Sequence, residues 1–305
     1  MTDREGVAEW LLHSDPSIRW QVMRDLLGEA PEKVAAERAL VAREGWGARV
    51  LRLQQADGRW AHPDADSEEW SCFIHLAFLR DLGLDPLSDE ARHAVGLVRD
   101  NLTWHWWDNK PFFEGEVEPC INGRVVAIGA YFGEEVQGLV DRLLGEQMAD
   151  GGWNCEQENG STVGSFHTTI CVLEGLLEHE QAGGGRPDVA AAISRAQAYL
   201  LDRRLFHRLS TGEVVDPAFT RFGFPTCYHY DVLRGLDHLR ATGVDPDEQM
   251  ADAIAVVESK GAMNGRWPLE HVHEGNVVVP MEELAKPSRW ITLRAMRVLR
   301  WANAG

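Results

Sequence analysis

The sequence predicts an all-α protein, an (α/α)6 toroid of six outer and six inner helices, and three observations predict it. A short polar turn ending in Gly-x-Trp occurs three times: Gln54 leads to Asp57-Gly58-Arg59-Trp60, Gln147 to Asp150-Gly151-Gly152-Trp153, and Lys260 to Asn264-Gly265-Arg266-Trp267. Each copy follows one amphipathic helix and precedes another, which makes it the hinge of a repeated helix pair. Apolar residues recur at three and four rather than at two almost everywhere, the helical period. Charge-rich helices also alternate along the chain with more apolar ones, as two concentric layers require.

The charge-rich set covers residues 5-13, 32-55, 88-103, 134-148, 187-203 and 246-260, with Pro31, Pro86, Pro187 and Pro246 near the starts, where a missing N-H costs nothing. The apolar set covers 17-28, 70-83, 122-132, 165-180, 225-241 and 288-302, helices walled in by neighbours. Between them the turn glycine supplies the left-handed backbone that ends one helix, and the Trp is a large apolar anchor. Six pairs make a closed ring more economical than an open solenoid, because no apolar end remains to be capped. Residues 104-121, 204-221 and 268-287 exceed what a hairpin needs and read as cover segments.

The inner helices share a register. Val172-Leu173-Glu174-Gly175-Leu176 matches Val232-Leu233-Arg234-Gly235-Leu236, and Val22-Met23-Arg24-Asp25-Leu26 and Phe78-Leu79-Arg80-Asp81-Leu82 follow the same scheme. His167 then corresponds to Cys227, Cys171 to Asp231 and Glu174 to Arg234. Spaced by four and then three, those positions form one helical stripe that faces the ring axis. Arg24, Arg80, Arg234 and Glu174 lie deep along their helices and read as a charge network plugging the narrow end. His167 and Cys227 lie in first turns, where unpaired N-H groups favour chemistry, so the pocket is expected at the N-terminal ends of the inner helices.

At 305 residues one domain spanning 1-305 is expected, and 44% hydrophobic residues suffice for a large core. With 48 acidic and 30 basic residues the net charge is -18, which repels nucleic acid and anionic membrane. No apolar run is long enough to span a bilayer, and the first fifteen residues lack a signal-peptide core. Five scattered cysteines, Cys72, Cys120, Cys155, Cys171 and Cys227, point to a reducing cytoplasm rather than a disulfide framework. No phosphate loop, dinucleotide fingerprint, Gly-x-Ser-x-Gly elbow or His-Glu-x-x-His motif occurs.

The turns at Gln54-Trp60 and Gln147-Trp153 resemble the Gln-Trp repeats of squalene-hopene cyclases, in the terpenoid cyclase and protein prenyltransferase superfamily. That resemblance covers nearly the whole chain and implies a double ring of helices. Class II cyclases protonate an alkene or epoxide with Asp-x-Asp-Asp. The nearest match is Asp64-Ala65-Asp66-Ser67-Glu68-Glu69, where Ser67 replaces one acid, and a solvated helix start capped by Asp66 or Ser67 is the competing role. Phe166-His167-Thr168-Thr169-Ile170-Cys171 and Thr226-Cys227-Tyr228 are similar to prenyltransferase segments that carry a zinc-binding His and Cys. The resemblance maps those ligands onto His167 and Cys227. Pro225 stands where the family has an Asp, and the segments occur in reversed order, so Asp231 or His229 would have to complete the set, with Asp231 favoured on a straight helix.

Without metal, His167, Asp231 and Cys227 are the expected acid, base and auxiliary acid or nucleophile, suited to proton shuffling on an unsaturated compound. Trp104, Trp107 and Phe112 are expected in the wall beside Glu69, Cys171, His229 and Trp290, with the Trp faces placed to attract a developing cation. His271-Val272-His273 reads as a solvated loop pair. The expected function is therefore a terpenoid-cyclase-like lyase, isomerase or cyclase acting without a cofactor on a small hydrophobic, isoprenoid-like substrate. The alternatives are a non-catalytic protein that holds a lipid or polycyclic ligand, and a zinc-dependent prenyltransferase-like enzyme.

Overall fold

A computed structural model describes residues 4-61, 68-273 and 279-303. The chain is mostly helical. In order the helices are α1 (Arg4–Leu12), α2 (Pro16–Val22), α3 (Pro31–Arg38), α4 (Gly45–Leu53), α5 (Glu68–Leu82), α6 (Asp89–Asn101), α7 (Pro119–Phe132), α8 (Gln137–Gly145), α9 (Phe166–His179), α10 (Pro187–Asp202), α11 (Val232–Ala241), α12 (Ala251–Lys260) and α13 (Arg289–Ala302). The strands β1 (Thr103–Trp104) and β2 (Lys110–Pro111) form one short hairpin. No helix among the described residues is long and apolar enough to cross a membrane.

Two predicted helices differ most from their predicted extents. The outer segment 32-55 is divided between α3 and α4, because Gly45 adopts a left-handed φ of 64° and the Asp15 carboxylate accepts the Trp46 N-H at 2.7 Å. The inner segment 225-241 becomes helical only at Val232. Asp231 is extended and its side chain accepts the Arg234 N-H at 2.8 Å, a capping bond that starts α11 at Val232 and not at the start of the predicted segment.

The three Gly-x-Trp turns share one construction. Gly58, Gly151 and Gly265 have φ of 91°, 88° and 70°. The indoles of Trp60, Trp153 and Trp267 are buried and donate to the carbonyls of Val50, Leu143 and Val257, each ten residues upstream, at 2.8, 2.7 and 2.7 Å. In the first two copies the Gln amide adds a second tie. Gln54 donates to Gly58 O and to Ala94 O of α6, and Gln147 to Gly151 O and to Ala192 O of α10. Each Gln thus joins its own turn to a further helix, α6 in the first copy and α10 in the second. Lys260 turns instead to Glu270 at 2.6 Å.

The apolar helices contact one another in succession. Trp20 of α2 donates to Leu82 O at the end of α5, α5 packs on α7, and α7 packs on α9. That last pair is in backbone contact: a Cβ on Gly123 would lie 2.7 Å from the Cys171 carbonyl, so glycine is required there. Arg234 of α11 pairs with Glu174 of α9, α11 packs on α13, and α13 meets α2, where Arg297 reaches Gln21 and Asp25 at 3.0 and 2.9 Å.

Candidate functional site

Two groups of polar side chains lie among the apolar helices. One gathers around the start of α9 and the turn preceding α11. Ser165 caps α9 by accepting the Thr168 N-H, which sets His167 in the first turn. The Nδ1 of His167 then accepts the Tyr230 N-H at 2.8 Å. A backbone amide only donates, so Nδ1 carries the lone pair and the neutral ring bears its proton on Nε2. Burial, followed by the charge of Arg234, lowers the His167 pKa from its ordinary value and preserves that neutral form.

His229 stands with its ring 5.8 Å from that of His167 and nearly perpendicular to it. It stacks on Tyr228 at 4.1 Å and on His273 at 3.6 Å, and His273 meets His271 at 4.5 Å. Burial, reinforced by the neighbouring His167, depresses His229 to about 4, and burial with His229 depresses His273 to about 3. Four imidazoles are therefore assembled from three parts of the chain. The expectation that His271 and His273 form a solvated loop pair is corrected: both are half-buried, and a backbone bridge between Gly223 and His271 draws that loop against the turn. No local pattern announces such a bridge between segments nearly fifty residues apart.

The placement of Asp231 differs from expectation for the same reason that α11 starts late. Residues 225-231 are not helical, so their side chains do not follow the helical stripe. Asp231 is buried on the cap, and burial raises its pKa. Its oxygen serves the start of α11, and His229, expected to point away, is the group that faces His167. Cys171 donates to Tyr228 O at 3.6 Å and lies 3.7 Å from the Arg234 guanidinium. Burial pushes the Cys171 thiol up and the Cys227 thiol to about 11, so both are protonated at neutral pH and poor nucleophiles.

The zinc ligands implied by resemblance fit poorly. The Nδ1 of His167 is already taken, and Asp231 is committed to its cap. The metal-capable group found among the described residues is a different one: Glu118, Cys120 and Cys155 present ligand atoms within 4.8 Å of one another. Cys120 donates to Glu118 at 3.3 Å, and its hydrogen bond lowers the Cys155 pKa.

Two of the rings expected in a cavity wall are placed differently. Trp104 and Phe112 are fully buried and stacked at 5.1 Å, and the Trp104 indole donates to Phe112 O, so both anchor the β1–β2 hairpin instead of facing a cavity. Trp107 is half-buried under Lys110. The rings near the imidazoles are Phe219, 5.3 Å from His167, and Tyr228, which meets Trp70 at 6.1 Å. Glu69 is buried and pairs with His105 at 3.0 Å. Asp64, Asp66 and Ser67 lie outside the described residues.

The second group surrounds a cavity of about 240 Å³. Its lining comes mostly from the C-terminal parts of α5, α9 and α11, with Arg234 from the start of α11, Arg124 of α7, Arg294 and Arg297 of α13, and Phe224, Thr226 and Trp290. The expected N-terminal pocket is thus not the cavity observed here, and Trp290 alone among the expected wall residues borders it. Its charges are connected. Glu174 bridges Arg124 and Arg234 at 2.9 and 2.7 Å, and Asp237 bridges Arg294 and Arg297 at 3.4 and 3.1 Å. Burial opposes ionisation of Glu174 and Asp237, but the arginines outweigh it and hold both carboxyls well below the usual range. Of the charged stripe read as a plug, Arg80, Glu174 and Arg234 line this hollow, whereas Arg24 is exposed and pairs with its neighbour Asp25.

No family model matches this chain, and no curated protein matches it. Among solved structures the chain is similar to the apo type II terpene cyclase MstE from Scytonema, with 17% identity, a TM-score of 0.45, and coverage of 98% of this chain and 87% of that one.

Proposed function

We propose that residues 1-305 form one domain, an (α/α)6 toroid of the terpenoid-cyclase type, and that the imidazole cluster at its His167 end is a proton-transfer site of a lyase, isomerase or cyclase. The ring is supported by the repeated turn construction and by the contact of α13 with α2. The proton-transfer reading is carried by one observation: His167 is held as a neutral Nε2-H donor with His229 beside it. A neutral imidazole polarises a carbonyl or alkoxide oxygen by donation, without needing to titrate. His229, also neutral, is the group left to accept or return a proton. Tyr228, Trp70 and Phe219 supply the apolar contact for a small hydrophobic, isoprenoid-like substrate, and Cys171 and Cys227 remain as packing thiols. Asp231 acts as a positioning residue that sets the turn bearing His229.

The test is mass spectrometry of a panel of small terpenoid and polyprenyl alcohols, aldehydes and acids incubated with the protein. One compound is expected to yield an isomer, or a product differing by water, with the native chain and at least a hundredfold more slowly with His229→Phe, an effect on the order of a lost acid or base. A ligand recovered unchanged from the native protein identifies a binding protein instead. The Glu118, Cys120 and Cys155 group favours a second reading, a three-ligand zinc site with an open position for Lewis-acid chemistry. Stoichiometric zinc in the purified protein, lost in Cys155→Ser, would establish it.

A further inference from the structure

The cavity at the C-terminal ends of the inner helices plays no part in the proton-transfer site, yet it is built like a binding site. Six arginines line it, Arg80, Arg124, Arg234, Arg240, Arg294 and Arg297, against four carboxylates, Asp81, Glu174, Glu178 and Asp237. Asp25, just behind this lining, pairs with Arg297 at 2.9 Å, which leaves an excess of one positive charge inside a chain whose net charge is -18. Helix C-termini attract cations, so arginines in last turns are expected for that reason alone. Only Arg80 and Arg240 sit there. Arg124 is in mid-α7, Arg234 opens α11, and Arg294 and Arg297 lie in the middle of α13.

The second observation is unused hydrogen-bonding capacity in the same wall. Arg124 Nε, Arg297 Nε and Trp290 Nε1 are buried donors with no acceptor, and His238, 4% exposed, has no partner on either ring nitrogen. Buried polar groups are nearly always satisfied, and a cluster of exceptions around one hollow calls for a missing partner. Three of these groups can only donate, so the partner must be rich in acceptor oxygens.

We propose that this cavity binds a small molecule carrying two negative charges, as a pair of carboxylates or a phosphate. Its oxygens neutralise the excess charge and accept from the arginine and indole N-H groups after small side-chain rotations, and neutral His238 supplies one further donor. The existing ion pairs hold the guanidinium groups in place, so little rotamer entropy is lost on binding.

The experiment titrates the native protein with succinate and, separately, with inorganic phosphate at ionic strength matched by sodium chloride, following the Arg124 and Arg297 Nε-H resonances and the melting temperature. Saturable shifts of those resonances and a rise in melting temperature with either dianion are expected, and the preferred dianion identifies the anionic group. Arg240→Gln and His238→Phe are the variants, the first at the rim and the second close in shape. Each should weaken binding about tenfold, the factor for one lost charge-assisted or buried hydrogen bond. Responses no larger than with sodium chloride, equal affinities in both folded variants, or a crystal grown with either dianion that shows only water in the cavity would overturn the proposal.

Discussion

The direction of one hydrogen bond defines what His167 can do. Because Tyr230 N-H points at Nδ1, the ring cannot gain a proton there without breaking that bond, and its free nitrogen donates. His167 was legible as a candidate from its place in the first turn of an inner helix. Its partner was not, since a helical wheel through 225-231 turned His229 away and brought Asp231 inward. A stretch with Cys227 at φ 46° and an extended Asp231 follows no wheel. The cap role of Asp231 gives a stability test. Asp231→Ala should lower the unfolding free energy by about 1 kcal/mol, whereas Asp231→Asn, which can still accept the Arg234 N-H, should cost only a few tenths, as read from urea midpoints.

Among the elements, the Gly-x-Trp turns were the most legible feature, because each rests on local chemistry: a left-handed glycine, an indole donor and a glutamine with two carbonyls in reach. Gln147→Ala removes the donations to Gly151 and Ala192, the second of which ties α8 to α10. Destabilisation of about 1–3 kcal/mol is expected from the urea midpoint, with the slope unchanged. The divided outer segment 32-55 was not legible, because its break depends on Asp15, 31 residues upstream, receiving the Trp46 amide. The pairing of Trp104 with Phe112 was hidden similarly, since a cluster of rings looks alike whether it lines a hollow or fills a hairpin.

Over the whole molecule, three histidines and the arginine-paired carboxyls are alike held in their unprotonated forms. His229, His238 and His273 are held neutral, at about 4, 4 and 3, against an unfolded value near 6.5. Between those limits the unfolded chain binds more protons than the native one, so stability rises with pH across that window and is lost as pH falls from about 6.5 towards 4. Glu174 and Asp237, depressed by their arginines, contribute stability above the ordinary carboxylate range that disappears as pH falls below it. Melting temperature should therefore be nearly flat from pH 8 to 7, decline below about 6.5 and fall more steeply below about 4.5. The charged hollow was half legible: the repeated Arg and Glu positions were visible, but the register could not tell a filled plug from a lined cavity. The most direct measurement is a pH titration of nitrogen-15 histidine resonances by long-range proton correlation. His167 is expected as a fixed Nε2-H tautomer, with His229 and His273 neutral at pH 7 and remaining so until below pH 5. Ordinary titration of His229 near 6.5, or a His167 ring protonated on Nδ1, would contradict the account.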